Sequence, residues 1–251
     1  MKTYIIAECG INHNGSLETA KKMIEKAKEC GADCAKFQYF RRGEVEEVWD
    51  IVKDYHMEWG YLSVLQEYCE KIGIDFLCSA FGGASAWVLI NRLKLKTLKI
   101  PSGKITDLDF LKYISDKFDR FILSTGMANI DEIRKATGIL GPWNTDILHC
   151  VSAYPTQIHD INIRVVGRVA DGFSDHTTGC TAAIMAVALG ARIIEKHFTL
   201  DNFMQGPDHT MSMNPIDFKY YVKKIREAEL ALGDGNIKCE EVEKVNLFRR
   251  K

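Results

Sequence analysis

The sequence lacks the features that would place this protein in a membrane or on a nucleic acid. Its longest apolar stretches, such as residues 182–189, fall well short of the roughly 20 residues needed to span a bilayer. Its 33 basic and 34 acidic residues give a formal net charge of −1, so there is no global field to hold a nucleic acid or an anionic membrane. We therefore expect a soluble protein with no nucleic-acid or membrane partner, in which any bound anion is met by local groups.

Signals for export and for disulfide formation are also missing. The sequence begins MKTYIIAECG, where a short β-branched run leads directly into polar residues, and this fits neither a secretory signal nor a transit peptide. The 8 cysteines are scattered without a CxxC pair, and several lie inside apolar runs. The pattern predicts reduced, buried thiols and a cytoplasmic location.

What the sequence does contain is a regular alternation of short apolar runs and longer amphipathic stretches. Eight runs of about five residues have the composition of buried strands: 4–8, 34–38, 74–78, 97–101, 120–124, 146–150, 172–175 and 192–196. Stretches of helical period such as 16–30 separate them, and Ser16, Asp107 and Asn129 are predicted helix N-caps. No glycine-rich dinucleotide loop follows the first strand. The pattern therefore favours an α/β fold, a single-domain (β/α)8 TIM barrel, over an open doubly wound sheet.

The barrel is expected to occupy residues 1–235, followed by a charged tail or linker at 236–251. Two connections are unusually long. Residues 41–56 carry several carboxylates and are interpreted either as a lid or as a solvated loop, and residues 201–214 form a polar connection before the last helix at 215–232.

Polar residues end or closely follow every predicted strand, and in a barrel of this type those ends meet at one mouth. They are Glu8, Lys36, Gln38, Ser79, Lys99, Ser102, Ser124, Thr125, His149, Ser152, Tyr154, Ser174, His176, Glu195 and His197. Because unpaired polar groups on inward positions of buried strands are costly, an active site explains this enrichment best. Lysines and hydroxyls suit a phosphate or a carboxylate, whereas histidines suit a divalent metal.

Each group also has a structural explanation. Lys36 and Lys99 are the kind of residue that snorkels from a strand, although two of them favour a site over that explanation. His149, inside an apolar run, is interpreted as a hydrogen-bonded structural histidine and is left out of the metal set. His176 and His197 end neighbouring strands, which favours a metal pair with open positions for water and substrate. Glu8 is expected to be buried with a perturbed pKa.

Six segments together resemble the sialic acid synthase family. In order they are IIAECGINHNGSLETAKKMIEKAKECGADCAKFQ, KIPSGKITDL, ILSTGMANIDEI, ILHCVSAYPT, GFSDHTTG and IIEKHFTLDNFMQGPDHTMSMNP, and the resemblance runs from residue 4 to about residue 235. It implies a metal-dependent condensation of phosphoenolpyruvate with an N-acylmannosamine-type amino sugar, phosphorylated or not. The products would be a nine-carbon 2-keto-3-deoxy acid and phosphate. The implied cofactor is Mn²⁺ or Mg²⁺, and a homodimer is among the implied oligomeric states.

The matching motifs also imply roles for individual residues. His176 and His197 match the metal ligands, and Glu8, Glu195 and Lys99 are assigned to catalysis. Phosphoenolpyruvate binding is assigned to Lys36, Ser79, Lys99, Ser102, Ser124, Ser152 and Ser174, and sugar binding to Gln38, Lys104, Tyr154 and Asp208. Two of these positions depart from the family pattern, because Ser79–Ala80 stands where many members have Thr–Pro and Ser152 where many have Asn.

The sequence departs from the family at Lys104, which stands where an acidic residue normally contacts the acceptor sugar. We hypothesise that Lys104 either meets an anionic group on the acceptor, such as a phosphate, or partly substitutes for an arginine. That arginine normally comes from a small antifreeze-like domain that follows the barrel. Here the sequence stops at FRRK, which leaves open a shortened piece, a naturally short member, or a domain carried on a separate chain.

Three other functions stay open at this point. The first is a phosphoenolpyruvate-dependent synthase with a different sugar acceptor. The second is a non-catalytic, paralogous barrel that acts as a binding module. The third, a generic metal hydrolase, is disfavoured because two lysines and several serines would be unusual beside one metal.

Overall fold

The fold is a closed barrel of eight parallel strands, which confirms the (β/α)8 prediction. The computed structural model describes residues 2–250; Met1 and Lys251, the outer ends of the expected barrel and tail ranges, lie outside the described residues. The strands are β1 (Tyr4–Gly10), β2 (Cys34–Tyr39), β3 (Asp75–Ala80), β4 (Thr97–Ile100), β5 (Arg120–Ser124), β6 (Thr145–His149), β7 (Gly172–Asp175) and β8 (Ile193–His197). All eight predicted strands are present, and their ends are shifted by two residues at most.

Helices surround the barrel on the side away from its axis. They are α1 (Leu17–Glu29), α2 (Trp49–Val52), α3 (Trp59–Ile72), α4 (Gly83–Asn91), α5 (Leu108–Ile114), α6 (Ile130–Leu140), α7 (Thr181–Ala188) and α8 (Pro215–Leu232). The side chains of Ser16, Asp107 and Asn129 accept hydrogen bonds from backbone N–H groups of the first turns of α1, α5 and α6, as predicted. Between β6 and β7 the chain forms two 3₁₀ turns, Ile158–Asp160 and Ile163–Val165, in place of a full helix.

The barrel interior is built in two layers of opposite character. A lower apolar layer is a cluster of buried side chains from six strands: Ile6, Cys34, Leu77, Ile122, Leu148 and Ile193. Because side chains on a strand alternate between its two faces, the residue two positions further on points to the same interior. In β1 that residue is Glu8, in β2 Lys36 and in β8 Glu195, and all three are buried. The apolar layer therefore forms the floor beneath a polar layer at the C-terminal mouth.

Most side chains of the long segment 41–56 are exposed, but a few contacts hold the segment against the barrel. It contains α2 and three 3₁₀ turns. The Glu44 carboxylate accepts hydrogen bonds from the backbone N–H of Ser85, at the start of α4, and from that of Arg41, each at 2.9 Å. Val45 packs in an apolar cluster with Ile11 and Phe40. These contacts fix the segment beside the mouth.

Six of the eight cysteines are buried free thiols, as expected, but Cys180 is half-buried and Cys239 is exposed. Cys239 lies in the C-terminal segment, where Glu241–Arg249 is a 3₁₀ segment with exposed side chains. Within residues 2–250, no helix combines the length and the apolar character needed to cross a membrane.

Candidate active site

A cavity of about 250 Å³ opens at the C-terminal mouth of the barrel, above the apolar floor. Thirteen of the fifteen residues to which the sequence assigns a catalytic, substrate-binding or metal-binding role line it: Glu8, Lys36, Gln38, Ser79, Lys99, Ser102, Ser124, Ser152, Tyr154, Ser174, His176, Glu195 and His197. Residues separated by up to 189 positions in the chain are thus brought to one place. The remaining two, Asp208 and Lys104, are placed elsewhere.

The polar layer, directly above the apolar floor, contains four side chains whose charges alternate. The Lys36 ammonium lies 2.6 Å from Glu8 Oε2 and 3.6 Å from Glu195 Oε2. Glu195 Oε1 lies 3.5 Å from the Lys99 ammonium, which donates a 2.7 Å hydrogen bond to Ser124 Oγ. All four charged side chains are at most 6% exposed. Two buried cations are therefore balanced by two buried carboxylates.

This arrangement shifts the pKa values of the four groups in different directions. Burial raises the pKa of Glu8, and the nearby Glu195 raises it further despite Lys36. Burial also opposes ionisation of Glu195, but Lys36 and Lys99 outweigh it and hold the pKa of Glu195 at about 2. Burial lowers the pKa of Lys99, whereas Glu195 and Glu8 outweigh burial and raise the pKa of Lys36. Of the two buried carboxyls, Glu8 is therefore the one that holds a proton more readily.

Hydroxyl groups form one wall of the cavity around Gly126, a residue that the sequence reasoning missed. A Cβ added at Gly126 would lie 2.2 Å from Ser152 Oγ and 2.9 Å from Ser102 Oγ. The backbone N–H of Gly126 donates a 3.0 Å hydrogen bond to Ser102 Oγ, and Ser152 Oγ is buried without a hydrogen-bond partner in the described part of the chain. A side chain at this position would force Ser152 and Ser102 to move. The sequence signal was the glycine of STG, directly after β5.

The two histidines fit a divalent metal. Their ring centroids lie 5.7 Å apart. His176 Nδ1 lies 2.6 Å from the carbonyl oxygen of Val151, which accepts a hydrogen bond from the protonated Nδ1 and leaves Nε2 available. His197 Nδ1 is buried without a hydrogen-bond partner among the described residues. Burial lowers the pKa of both rings, which favours the neutral imidazole that binds metals. Across residues 2–250 no group of three or more His, Cys, Asp or Glu side chains is suited to a metal, so the protein would supply two ligands.

Four candidate residues do not line the cavity. One is Thr125, whose hydroxyl donates a 3.1 Å hydrogen bond to the carbonyl oxygen of Leu148. Asp208 lies above it, with Oδ2 3.9 Å from His197 Nδ1, and burial followed by the nearby Glu8 raises the pKa of Asp208 to about 6. Lys104 lies in the turn after β4, with its ammonium 3.8 Å from Asp107 Oδ2. His149 Nε2 lies 2.5 Å from the carbonyl oxygen of Ile161, in agreement with a structural histidine.

The loop that carries Asp208 is held by the β1–α1 loop. Asn12 donates 2.9 Å hydrogen bonds to the Phe198 carbonyl oxygen and to Ser212 Oγ. Asn14 Oδ1 lies 3.0 Å from Nε2 of the fully buried His209. The sequence did not predict these hydrogen bonds between the two loops, because Asn12 and Asn14 lie in a turn and their partners are about 200 positions away in the chain.

A side groove of about 1200 Å³ adjoins the cavity and shares Gln38, Tyr154 and His197 with it. It runs beneath the 201–214 loop to the start of α8. Asp208 and Asp217 line it, together with the buried Lys196. The small cavity and the side groove are thus two connected compartments of one site.

Comparison with known proteins gives a consistent family. The NeuB family matches residues 23–237. The chain is 39% identical over 275 aligned residues to the N,N'-diacetyllegionaminic acid synthase of Campylobacter jejuni, covering 98% of this chain and 82% of that protein. It is 35% identical to the human N-acetylneuraminate-9-phosphate synthase over 92% of this chain and 71% of that protein. Among solved structures, the N-acetylneuraminic acid synthetase of Leptospira borgpetersenii, in complex with citrate, has a TM-score of 0.89 at 32% identity, covering 100% of this chain and 94% of that one.

Proposed function

The chain belongs to the NeuB family, and from this premise we propose that it condenses phosphoenolpyruvate with an N-acylated amino sugar. The products would be a sialic-acid-like 2-keto-3-deoxy acid of nine carbons and inorganic phosphate. Relatives of this chain are named as synthases of N-acetylneuraminate 9-phosphate, diacetyllegionaminic acid and pseudaminic acid, so the reaction type is shared and the acceptor varies.

The observation that carries the proposal is the pairing of two buried cations with a hydroxyl-lined pocket in one cavity. Phosphoenolpyruvate presents a phosphate and a carboxylate, which require cations and short hydrogen-bond donors aimed at two anions. Lys36 and Lys99 supply the charge at the floor, and Ser102, Ser124 and Ser152 supply hydroxyls. The unpartnered Ser152 hydroxyl supports a ligand at this wall.

The residues divide the chemistry between the cavity and the groove. Lys36, Lys99 and the serines would hold phosphoenolpyruvate so that its C3 faces the groove, where Gln38, Tyr154 and Asp208 would orient the aldehyde of the acceptor. C3 bonds to the aldehyde carbon, and the aldehyde oxygen gains a proton. Water then adds to C2 and loses its proton to Glu8, which a raised pKa suits to this role. The C2–O bond to phosphate finally breaks, the C2 hydroxyl gives its proton to the departing phosphate, and the C2 carbonyl forms.

We also propose that the cofactor is Mn²⁺ or Mg²⁺, held by His176 and His197. When bound there, the metal supplies Lewis-acid polarisation of the acceptor's carbonyl oxygen. The unpartnered His197 Nδ1 supports this assignment.

The test is a phosphate-release assay with phosphoenolpyruvate and a panel of amino sugars and other aldoses, followed by mass spectrometry of the product. We expect release that depends on the acceptor, and its loss in Lys99→Met, in which the buried ammonium is replaced by an apolar chain of similar length. Lys112→Met, at an exposed lysine on α5, is the matched control and should keep activity. Binding of phosphoenolpyruvate without turnover would instead indicate a non-catalytic binding barrel, and a product from another aldose would indicate a different acceptor.

A further inference from the structure

The charged side chains on the wall of the side groove are either acidic or already paired. Asp208 and Asp217 contribute carboxylates. Among the described residues, Lys196 is the one lysine or arginine on this wall, and it is 2% exposed. Its ammonium donates a hydrogen bond to the carbonyl oxygen of Thr177 and lies 3.5 Å from Asp175 Oδ1. Away from the proposed metal site at His197, an anionic group in the groove would therefore face two carboxylates, while the Lys196 ammonium is turned towards Thr177 and Asp175.

Lys104 lines neither the cavity nor the groove. Its ammonium faces Asp107, and the residues of this turn that line the cavity or the groove are Pro101, Ser102 and Gly103. The arrangement disfavours the hypothesis that Lys104 receives an acceptor phosphate.

The rest of the groove wall has a strong apolar share. Phe81, Pro155, Pro207, Met211 and Met213 line it, close to the hydrogen-bonding groups that orient a sugar. Such a surface suits methyl groups, and methionine side chains adapt to irregular apolar shapes.

Resting on the proposed function, we propose that the acceptor is an uncharged amino sugar with apolar substituents, such as N-acyl groups or a deoxy methyl, and that the groove rejects a phosphorylated acceptor. The discrimination has two physical sources. The Asp208 and Asp217 carboxylates have no lysine or arginine partner among the described residues and repel a phosphate dianion. Specificity is commonly built from such unfavourable contacts with the wrong ligand. The apolar wall stabilises methyl-bearing substituents by removing their surface from water.

The experiment compares three acceptors: N-acetylmannosamine, its 6-phosphate, and a 6-deoxy mannose that carries two N-acetyl groups. Isothermal titration of each into the protein with inorganic phosphate present measures binding, and phosphate release from phosphoenolpyruvate measures kcat/KM. We expect the 6-phosphate to be weaker than N-acetylmannosamine by about tenfold or more in both measurements. The diacetylated 6-deoxy sugar should bind at least as tightly as N-acetylmannosamine.

Two variants separate the local charge from other causes. Asp217→Asn removes one carboxylate from the groove and should reduce the difference in affinity and in kcat/KM between N-acetylmannosamine and its 6-phosphate. Asp109→Asn removes an exposed carboxylate on α5 and should leave this difference between the two sugars unchanged.

The outcomes distinguish this inference from the proposed function. Equal or tighter binding of the 6-phosphate, weaker binding of the diacetylated sugar, or binding of none of the three overturns the inference. Preferential binding of the neutral sugars without any phosphate release supports the inference and overturns the proposed function alone.

Discussion

Replacing Glu195 with glutamine tests the charge balance at the floor of the site. The variant keeps the side-chain shape and the oxygen that accepts the 2.8 Å hydrogen bond from Ser174, but it removes the negative charge between two lysines. Each ammonium lies about 3.5 Å from a Glu195 oxygen, and such a pair is worth about 4–5 kcal/mol of attraction at an effective dielectric constant of 20. Part of that attraction is offset by desolvation. Breaking a buried pair by removing one partner typically costs about 3–5 kcal/mol, which corresponds to a Tm lower by roughly 10 °C in a protein of this size.

The two lysines respond differently to the substitution. Lys36 keeps Glu8 at 2.6 Å, but within residues 2–250 Glu195 is the one carboxylate within 4.0 Å of the Lys99 ammonium. The pKa of Lys99, already lowered by burial, therefore falls further in Glu195→Gln. Binding of phosphoenolpyruvate should then be accompanied by proton uptake, seen as a dependence of the binding enthalpy on the ionisation enthalpy of the buffer.

The assay is thermal unfolding by circular dichroism, with and without phosphoenolpyruvate, together with calorimetric titration in two buffers. Glu227→Gln is the control, because Glu227 forms its 2.7 Å ion pair with Lys224 on the exposed face of α8 and should have little effect on Tm. A Tm of Glu195→Gln equal to that of the wild type would refute the proposed charge balance. Because the variant lacks a negative charge beside the two lysines, phosphoenolpyruvate should raise its Tm at least as much as it raises the Tm of the wild type. A smaller rise would refute the assignment of the two lysines to the anions of phosphoenolpyruvate.

Three further substitutions test other parts of the structure. Gly126→Ala should weaken phosphoenolpyruvate binding by about tenfold or more in calorimetry, because its Cβ would lie 2.2 Å from Ser152 Oγ; an unchanged Kd would contradict a ligand at this wall. Glu44→Ala removes the carboxylate that accepts a hydrogen bond from the Ser85 N–H at the N-terminus of α4. It should lower the free energy of unfolding by about 1–2 kcal/mol and speed proteolysis within residues 41–56. Glu47→Ala, on the same segment, should do neither. Burial lowers the pKa of His13 to about 4, so between pH 7 and pH 5 this residue takes up a proton in the unfolded chain but not in the folded protein. The free energy of unfolding, measured with urea, should therefore be about 2 kcal/mol lower at pH 5 than at pH 7. His13→Gln should lose this part of the pH dependence.

The barrel and the membership of the site could be predicted because both depend on local sequence patterns. Strand composition, helix caps such as Ser16, and the convergence of strand ends in a closed barrel place Glu8, Lys99 and His197 together without any knowledge of side-chain packing. The features that the sequence did not reveal depend on contacts between distant segments. Glu44 appears in the sequence as one of several solvated carboxylates, and only the fold brings it to the N-terminus of α4.

Lys104 shows the same limit for a functional residue. Its type and its place in a motif indicated contact with the acceptor, yet its ammonium faces Asp107, one turn further along its own segment. A sequence motif gives the position of a residue along the chain, but the direction of a long flexible side chain is set by the charges around it. Lysine can reach several partners from one backbone position, so its partner cannot be deduced from spacing alone.

The layered interior explains how one barrel supports both stability and a highly charged site. The apolar layer from Ile6 to Ile193 lies below the charged layer, which lines the cavity at the mouth. Glu8 and Glu195 neutralise Lys36 and Lys99 in the absence of substrate, which limits the cost of burying them. An entering anion finds cations that have already lost most of their water, and its attraction to them is strong because little solvent must be removed from the site at that moment. The carboxylates that stabilise the empty barrel then carry the same charge as the ligand, and the raised pKa of Glu8 indicates that it is the one able to relieve this repulsion by holding a proton.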